Sequence, residues 1–297
     1  YKYYKSSFKT IFVVLNEYLV ASSIKISMRT FIVNFIMFMF CFNLFPQADT
    51  NYKITYQLTY KPDSTDLAQL KTENFQLFTN AKTSYFLSNA VVSKDSTRRN
   101  FGIGDIGSDA YKRAAASWET NFSYRIYKKP LEELVYHCEK IATDNFYYAE
   151  DVHFDWQIGQ ETKTIEGFST QKATTSFAGR DYTAWFAAAI PISDGPYKFY
   201  GLPGLILEIE STDGDYRFTM IGIEKTSFYP VVNTPPKSLQ KATKKELLRL
   251  QQEYYDDPIG FLNNWVGSNG ASVHIGLEGK AKHCLLYTSP SPRDRTR

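Results

Sequence analysis

The sequence predicts a mainly β protein: an antiparallel curved sheet or incomplete β-barrel, similar in outline to lipoprotein carriers, with a single C-terminal helix. Three observations predict it. Aromatic residues make up 16% of the 297 residues, and they stand in short runs that alternate with Thr, Ser and charged side chains. Period-two alternation recurs along the chain between Gly, Pro, Asn and Asp turn residues. Helical periodicity is confined to the stretch after Thr243. The formal net charge of +3 is spread thinly, with no basic block, which argues against a nucleic-acid partner.

The chain opens on Tyr1, and its first Met is Met28. Met28-Arg29, the apolar run Phe31 to Phe45 and the small Ala48 read as a signal peptide over residues 28–48, which makes residues 1–27 upstream translated sequence. The apolar run of about 15 residues falls short of the roughly 20 that cross a bilayer, so no integral membrane protein is expected after cleavage. Cys41 follows Met39 and Phe40, whereas an acylated Cys needs small residues ahead of it. The expected location is therefore the periplasm, the outer membrane or the exterior of a bacterial cell, without a lipid anchor. At the other end, Cys284 to Asp294 reads like a sequencing adapter translated in frame, and residues 284–297 are set aside as artefact. What remains is one β-rich domain over residues 49–283 whose sole cysteine is Cys138. No internal disulfide can form there, and a strand position inside Leu134 to Ile141 is preferred to a nucleophile or a metal ligand.

Within that domain, Tyr52 to Tyr60 alternates strictly and ends at Pro62, giving a strand with one buried face. Ser84 to Ser93 reads as a second strand. Thr97 to Ser108, with Gly102, Gly104 and Gly107, reads as a loop whose Gly-x-Gly has no phosphate-binding context. Phe122 to Tyr127 and Leu134 to Ile141 form a hairpin across Lys128-Lys129-Pro130, followed by short strands at Asn145 to Glu150 and His153 to Gly159. Thr164 to Phe168, Gln171 to Phe177 and Asp181 to Phe186 follow at the regular spacing of antiparallel sheet. Leu205 to Ser211 and Tyr216 to Glu224 form a hairpin around Asp213-Gly214-Asp215. Thr243 caps the helix, with Glu246 at the reciprocal capping position and Leu247, Leu248, Leu250, Gln251 and Tyr254 along it until Asp257-Pro258.

The most specific stretch is Gly201-Leu202-Pro203-Gly204-Leu205-Ile206. This hexapeptide, with Gly167, Lys172-Ala173, Gly179 to Trp185, Ile190-Pro191-Ile192 and Gly195-Pro196 in order before it, resembles the GLPGLI family, and the resemblance covers about residues 52 to 226. The family implies export in two-membrane bacteria and carries no established activity. Many relatives place Cys near Thr170, and its loss here removes a partner for Cys138. Physically, Gly201 and Gly204 open backbone angles closed to other residues, while Pro203 fixes its own φ and restricts Leu202. Leu202, Leu205 and Ile206 are thereby pinned, either at a tight corner that sets strand register or at the mouth of a cavity.

Arg180, Asp181, Tyr182, Trp185 and Asp194 form the richest polar and aromatic cluster. One reading is structural, with an Arg180–Asp194 ion pair closing the sheet end over a core Trp. The other has Tyr182 and Trp185 lining a cavity, with Arg180 holding an anionic group. Candidate ligand contacts are thus Arg180, Tyr182, Trp185, Asp194, Leu202 and Leu205. His153 and Asp155 share a strand face at period two, but a zinc site needs a third ligand, so no metal is expected. None of the motifs sought for hydrolases, phosphate loops or thiol redox sites is present, and no cofactor is expected. The preferred function is a binding or carrier module for a lipid, a peptide or an outer-membrane protein. The alternatives are an exported hydrolase around His153, Asp155 and Arg180, and an accessory subunit of an outer-membrane complex.

Overall fold

The computed structural model describes residues 51–62, 69–80, 82–142, 144–227 and 239–262. The stretches read as upstream sequence and signal peptide, with Cys41, and the terminal stretch with Cys284 lie outside the described residues. Twelve strands follow in chain order: β1 (Tyr52–Tyr60), β2 (Lys71–Thr79), β3 (Ser84–Ser88), β4 (Arg125–Lys129), β5 (Leu134–Ile141), β6 (Asp144–Asp151), β7 (Gln157–Ile165), β8 (Phe168–Phe177), β9 (Arg180–Ala187), β10 (Leu205–Ser211), β11 (Tyr216–Lys225) and β12 (Gln240–Lys241). Helices α1 (Asn89–Asn100) and α2 (Asp109–Ala115) interrupt the run after β3, and α3 (Lys244–Asp256) follows β12.

All twelve strands join one sheet in the order β12-β6-β5-β4-β3-β2-β1-β11-β10-β9-β8-β7, antiparallel throughout except for the parallel β12 on β6. The chain forces this sheet to curl. β6 and β7 are ten strand steps apart, about 48 Å if the sheet were flat. Only residues 152–156 connect them, and that link reaches about 20 Å at full extension. The two sides of the sheet therefore bend toward each other around a concave face without closing, as expected for an incomplete barrel.

Local chemistry sets the corners. Glu166-Gly167 (φ 48° and 79°) and Ala178-Gly179 (φ 50° and 78°) are two-residue hairpin turns with positive φ at both positions, between the pairs Ile165–Phe168 and Phe177–Arg180. On β1, Ile54, Tyr56, Leu58 and Tyr60 are buried in alternation and join Phe75, Phe86, Ile126, Phe186, Ile209 and Phe218 in the concave core. A second cluster, with Phe78, Tyr85, Tyr127 and Cys138, lies on the opposite face under Val91 of α1. Helix α3 starts at the expected cap: Thr243 accepts the Glu246 N–H at 3.2 Å, and the Glu246 carboxylate accepts the Thr243 N–H at 2.7 Å.

Several expectations are corrected. β2 was not anticipated, because its first half is polar while Phe75 to Thr79 is buried on both faces and loses the alternation signal. The strand read over Ser84 to Ser93 stops at Ser88, whose hydroxyl accepts the Val91 N–H at 3.3 Å and starts α1. That helix then runs into the first part of the stretch read as a loop. The strand read from His153 begins only at Gln157.

The excursion of residues 188–204 between β9 and β10 crosses the concave side. Lys128 of β4, fully buried, meets Asp194 at 2.6 Å and donates to the carbonyls of Gly195 (2.6 Å) and Phe199 (3.2 Å). Asp194 also accepts from Thr79 Oγ1 (2.7 Å) and from the Gly195 N–H (2.8 Å). Lys198 reaches β6, donating to Tyr148 Oη at 3.0 Å and pairing with Glu150. Behind the excursion, Tyr56 donates to the Ile206 carbonyl at 2.7 Å. The hexapeptide is thus a corner, with Leu202, Leu205 and Ile206 buried beneath it. A Cβ on Gly204 would lie 2.3 Å from the Ala187 carbonyl oxygen, so close backbone approach explains that glycine.

Lys128→Met strands a buried carboxylate and is expected to destabilise the fold by about 3–5 kcal/mol, read as a lower urea midpoint. The double variant Lys128→Met/Asp194→Leu is expected to recover a substantial part of that loss.

Candidate functional site

A cavity of about 140 Å³ lies between the concave face and α3. Its walls are mostly rings, including Tyr124, Tyr148, Tyr182, Tyr197, Phe199 and Phe218, with Leu247 and Leu248 of α3 above them. Strand periodicity sends Tyr182 inward, where it packs on Phe199 with ring centroids 4.8 Å apart. Tyr197 sits at φ 54°, a left-handed turn that carries its ring into the cavity wall beside Tyr124 (5.7 Å).

Polar groups sit at separate places around the rings. Arg180 pairs with Asp213 and with Asp215 (3.0 Å) and lies over the Tyr216 ring at 5.3 Å. Lys198 and Lys244 share Glu150, the latter at 3.3 Å. Burial opposes the Lys198 charge, but Tyr148 and Glu150 outweigh it and raise its pKa. Burial likewise opposes the Glu150 carboxylate, yet Lys198 and Lys244 hold its pKa below the ordinary 4.5. His137 stacks on Tyr148 at 5.0 Å and places Nε2 3.2 Å from Glu139, while burial pushes its pKa down.

The proposed contacts divide three ways. Arg180 and Tyr182 line the cavity together. Trp185 is on the other face of β9, because it stands an odd three positions after Tyr182, and its ring is covered by the Lys163 ammonium at 4.3 Å. Asp194, Leu202 and Leu205 are buried in the framework and do not line the cavity. The expected Arg180–Asp194 pair is not formed, since each residue has other partners. His153 is exposed, 2.9 Å from Glu133 and 3.5 Å from Asp155, and shares no ion-pair partner with Arg180. Among the described residues no group of three His, Cys, Asp or Glu side chains is placed to hold a metal. Among them, too, no helix is long and apolar enough to cross a membrane.

The reading of the sequence missed His137, Lys198 and Lys244. His137 and Glu139 share a strand face at period two, and Lys198 interrupts the aromatic run Tyr197 to Tyr200. Both signals are weak beside the rest of the pattern: His137 and Glu139 flank Cys138, which points to the opposite face of β5.

Cys138 is free and buried, and burial pushes its thiol up to about 12. It is expected to resist a thiol reagent at pH 8 in the native protein and to react fully once unfolded. Because the folded Glu150 pKa is depressed, its contribution to stability is present above about 4.5 and is lost as pH falls through the folded value. Glu150→Gln is expected to flatten the acid limb of the stability–pH curve.

A family model described as a protein of unknown function (Porph_ging) matches residues 176–208, from the end of β8 through the hexapeptide. No curated protein matches the chain. Two solved structures of PNGF-II match, one in space group P21 with 12% identity and a TM-score of 0.49, the other in C2 with 13% and 0.48. Each match covers 68% of this chain and 33% of the other, so the chain spans about a third of the length of the structures it matches.

Proposed function

We propose that the chain is an exported, GLPGLI-like binding module of the periplasm or outer membrane that holds an apolar ligand, or the apolar part of a peptide, between its concave sheet face and α3. One observation carries this reading: a ring-lined cavity of about 140 Å³ in a core that is otherwise filled by large side chains. Native interiors pack densely, so a ring-lined pocket of this size beside the core is space that a ligand can fill. A cavity near 150 Å³ is large enough for a benzene-sized group. Helix α3 supplies the roof through one face, with Leu247 buried and Leu248 partly buried, so entry lies along its edge. The sequence features that predict export place the module where it would meet such ligands outside the inner membrane.

Native mass spectra of the full chain recovered from a periplasmic extract are expected to show a retained small ligand. Leu248→Trp, which fills the cavity from the roof, is expected to weaken retention at least tenfold, whereas Trp185→Ala on the far face leaves it unchanged. A uniformly ligand-free mass sinks the carrier reading and moves weight to a partner-binding role.

A further inference from the structure

The helical insertion between β3 and β4 lies over the convex face of the sheet, away from the cavity. Val91 of α1 packs there on the cluster that holds Cys138, and Lys140, two positions further along β5, emerges on the same face. Four cations are close enough here to act on one another: Lys94 and Arg98, one helical turn apart on α1, with Arg125 of β4 and Lys140. Asp95 stands among them, and both its oxygens accept from the Arg125 guanidinium, at 2.9 and 3.0 Å. Burial lowers the Lys94 pKa, and Arg98, Lys140 and Arg125 push it down further against the pull of Asp95. Arg98 and Lys140 are exposed and have no carboxylate partner among the described residues. Glu139, next to Lys140, points to the concave side, where it meets His137.

A ladder of half-buried rings adjoins these cations. The Lys94 ammonium lies 5.6 Å from the Trp118 ring centroid, Trp118 meets Tyr111 edge to face at 5.5 Å, and Tyr111 meets Phe101 in the same way at 5.9 Å. Between Phe101 and Tyr111 the chain makes a loop in which Ile106 is 62% exposed. A Cβ on Gly104 or on Gly107, to either side of it, would meet no atom within 4 Å, so the loop projects into open solvent. The remaining carboxylates of the insertion are Asp105, which accepts the Gly102 N–H at 2.7 Å, Asp109, 3.9 Å from Lys112, and Glu119. Arg99 and Arg113 join Lys112 on the other side of the count, so seven cations stand against four carboxylates. That excess of three equals the formal net charge of the chain: a charge spread thinly in the sequence is gathered by the fold into one region.

We propose that this insertion is a docking surface for an anionic phospholipid membrane, with Lys94, Arg98 and Lys140 against the headgroups, the rings at headgroup level and Ile106 entering the acyl boundary. A soluble polyanion would use the cations alone. An exposed aliphatic side chain beside Trp and Tyr rings is what a membrane interface stabilises, and long basic side chains reach the phosphates from the same depth. The surface is separate from the cavity and does not depend on what the cavity holds.

Co-sedimentation of the full chain with vesicles of phosphatidylcholine, and of phosphatidylcholine mixed equally with phosphatidylglycerol, tests this. Because the apolar run Phe31 to Phe45 is common to every variant, the readout is the gain in affinity that phosphatidylglycerol brings. A gain is expected at low salt and is expected to shrink as salt is raised. Arg98→Gln and Lys140→Gln, both on exposed side chains, are each expected to reduce it about fivefold, the worth of one basic residue at an anionic surface. Lys172→Gln removes the same charge from a lysine held by Glu161 at 2.8 Å elsewhere on the sheet, and is expected to leave the gain unchanged. Ile106→Ser is expected to weaken binding to the mixed vesicles about tenfold, the loss of an aliphatic side chain from the acyl boundary. No gain from phosphatidylglycerol, or an equal loss with Lys172→Gln, overturns the docking surface. Binding to soluble heparin as tight as to the mixed vesicles, with Ile106→Ser indifferent, assigns the cations to a soluble polyanion and overturns the membrane.

Discussion

The buried contact between Lys128 and Asp194 holds the molecule in its shape. Each partner belongs to a different half of the sheet, Lys128 to the run β1 to β6 and Asp194 to the excursion out of β9. An ammonium cannot be taken out of water alone, and burial lowers the Lys128 pKa in spite of its partner. The site answers with a full set of acceptors: one carboxylate and two backbone carbonyls, with Thr79 completing the shell of Asp194. Such a cluster is satisfied in one geometry only, so it fixes where residues 188–204 cross the concave face. The rings of Tyr197 and Phe199, and Lys198 between them, reach the cavity because that crossing is fixed.

The hexapeptide serves this arrangement indirectly. Gly204 lets the chain pass against the Ala187 carbonyl, and Trp156 closes over Gly201 by donating to the Tyr200 carbonyl at 2.9 Å. Leu202, Leu205 and Ile206 then anchor the end of the excursion in the core. The motif therefore builds the frame, and the side chains just ahead of it furnish the cavity wall.

The architecture was largely legible in the sequence where one rule dominated. The β10–β11 hairpin, the β8–β9 hairpin and the α3 cap each rest on local chemistry, and their bounds fall within a few residues of expectation, whereas β7 joins two stretches read as separate strands. β2 and α1 were not legible, because their character comes from being covered on a second face. Phe78 is buried only because the second cluster forms over it, and α1 has no acidic residue in its first turn to announce it. The candidate site was half legible for a related reason. Arg180 and Tyr182 are found by residue type, but parity along β9 should have separated Tyr182 from Trp185. His137, Lys198 and Lys244 converge only through the curl of the sheet, which no local pattern records.

That strand order also divides the molecule's assembly in time. Nine of the eleven strand pairings join neighbours in the chain, so both meanders, β1 to β6 and β7 to β11, are rich in short-range contacts. The seam between them, where Tyr60 lies opposite Tyr216, closes a loop of more than a hundred and fifty residues. Loop closure of that length is an entropic barrier met once, and high contact order of this kind slows folding. Until the seam zips, β1 and β11 are both unpaired edges with apolar faces, the arrangement most prone to pair with a strand from another molecule. The hazard falls in the interval between the two meanders forming and finding each other.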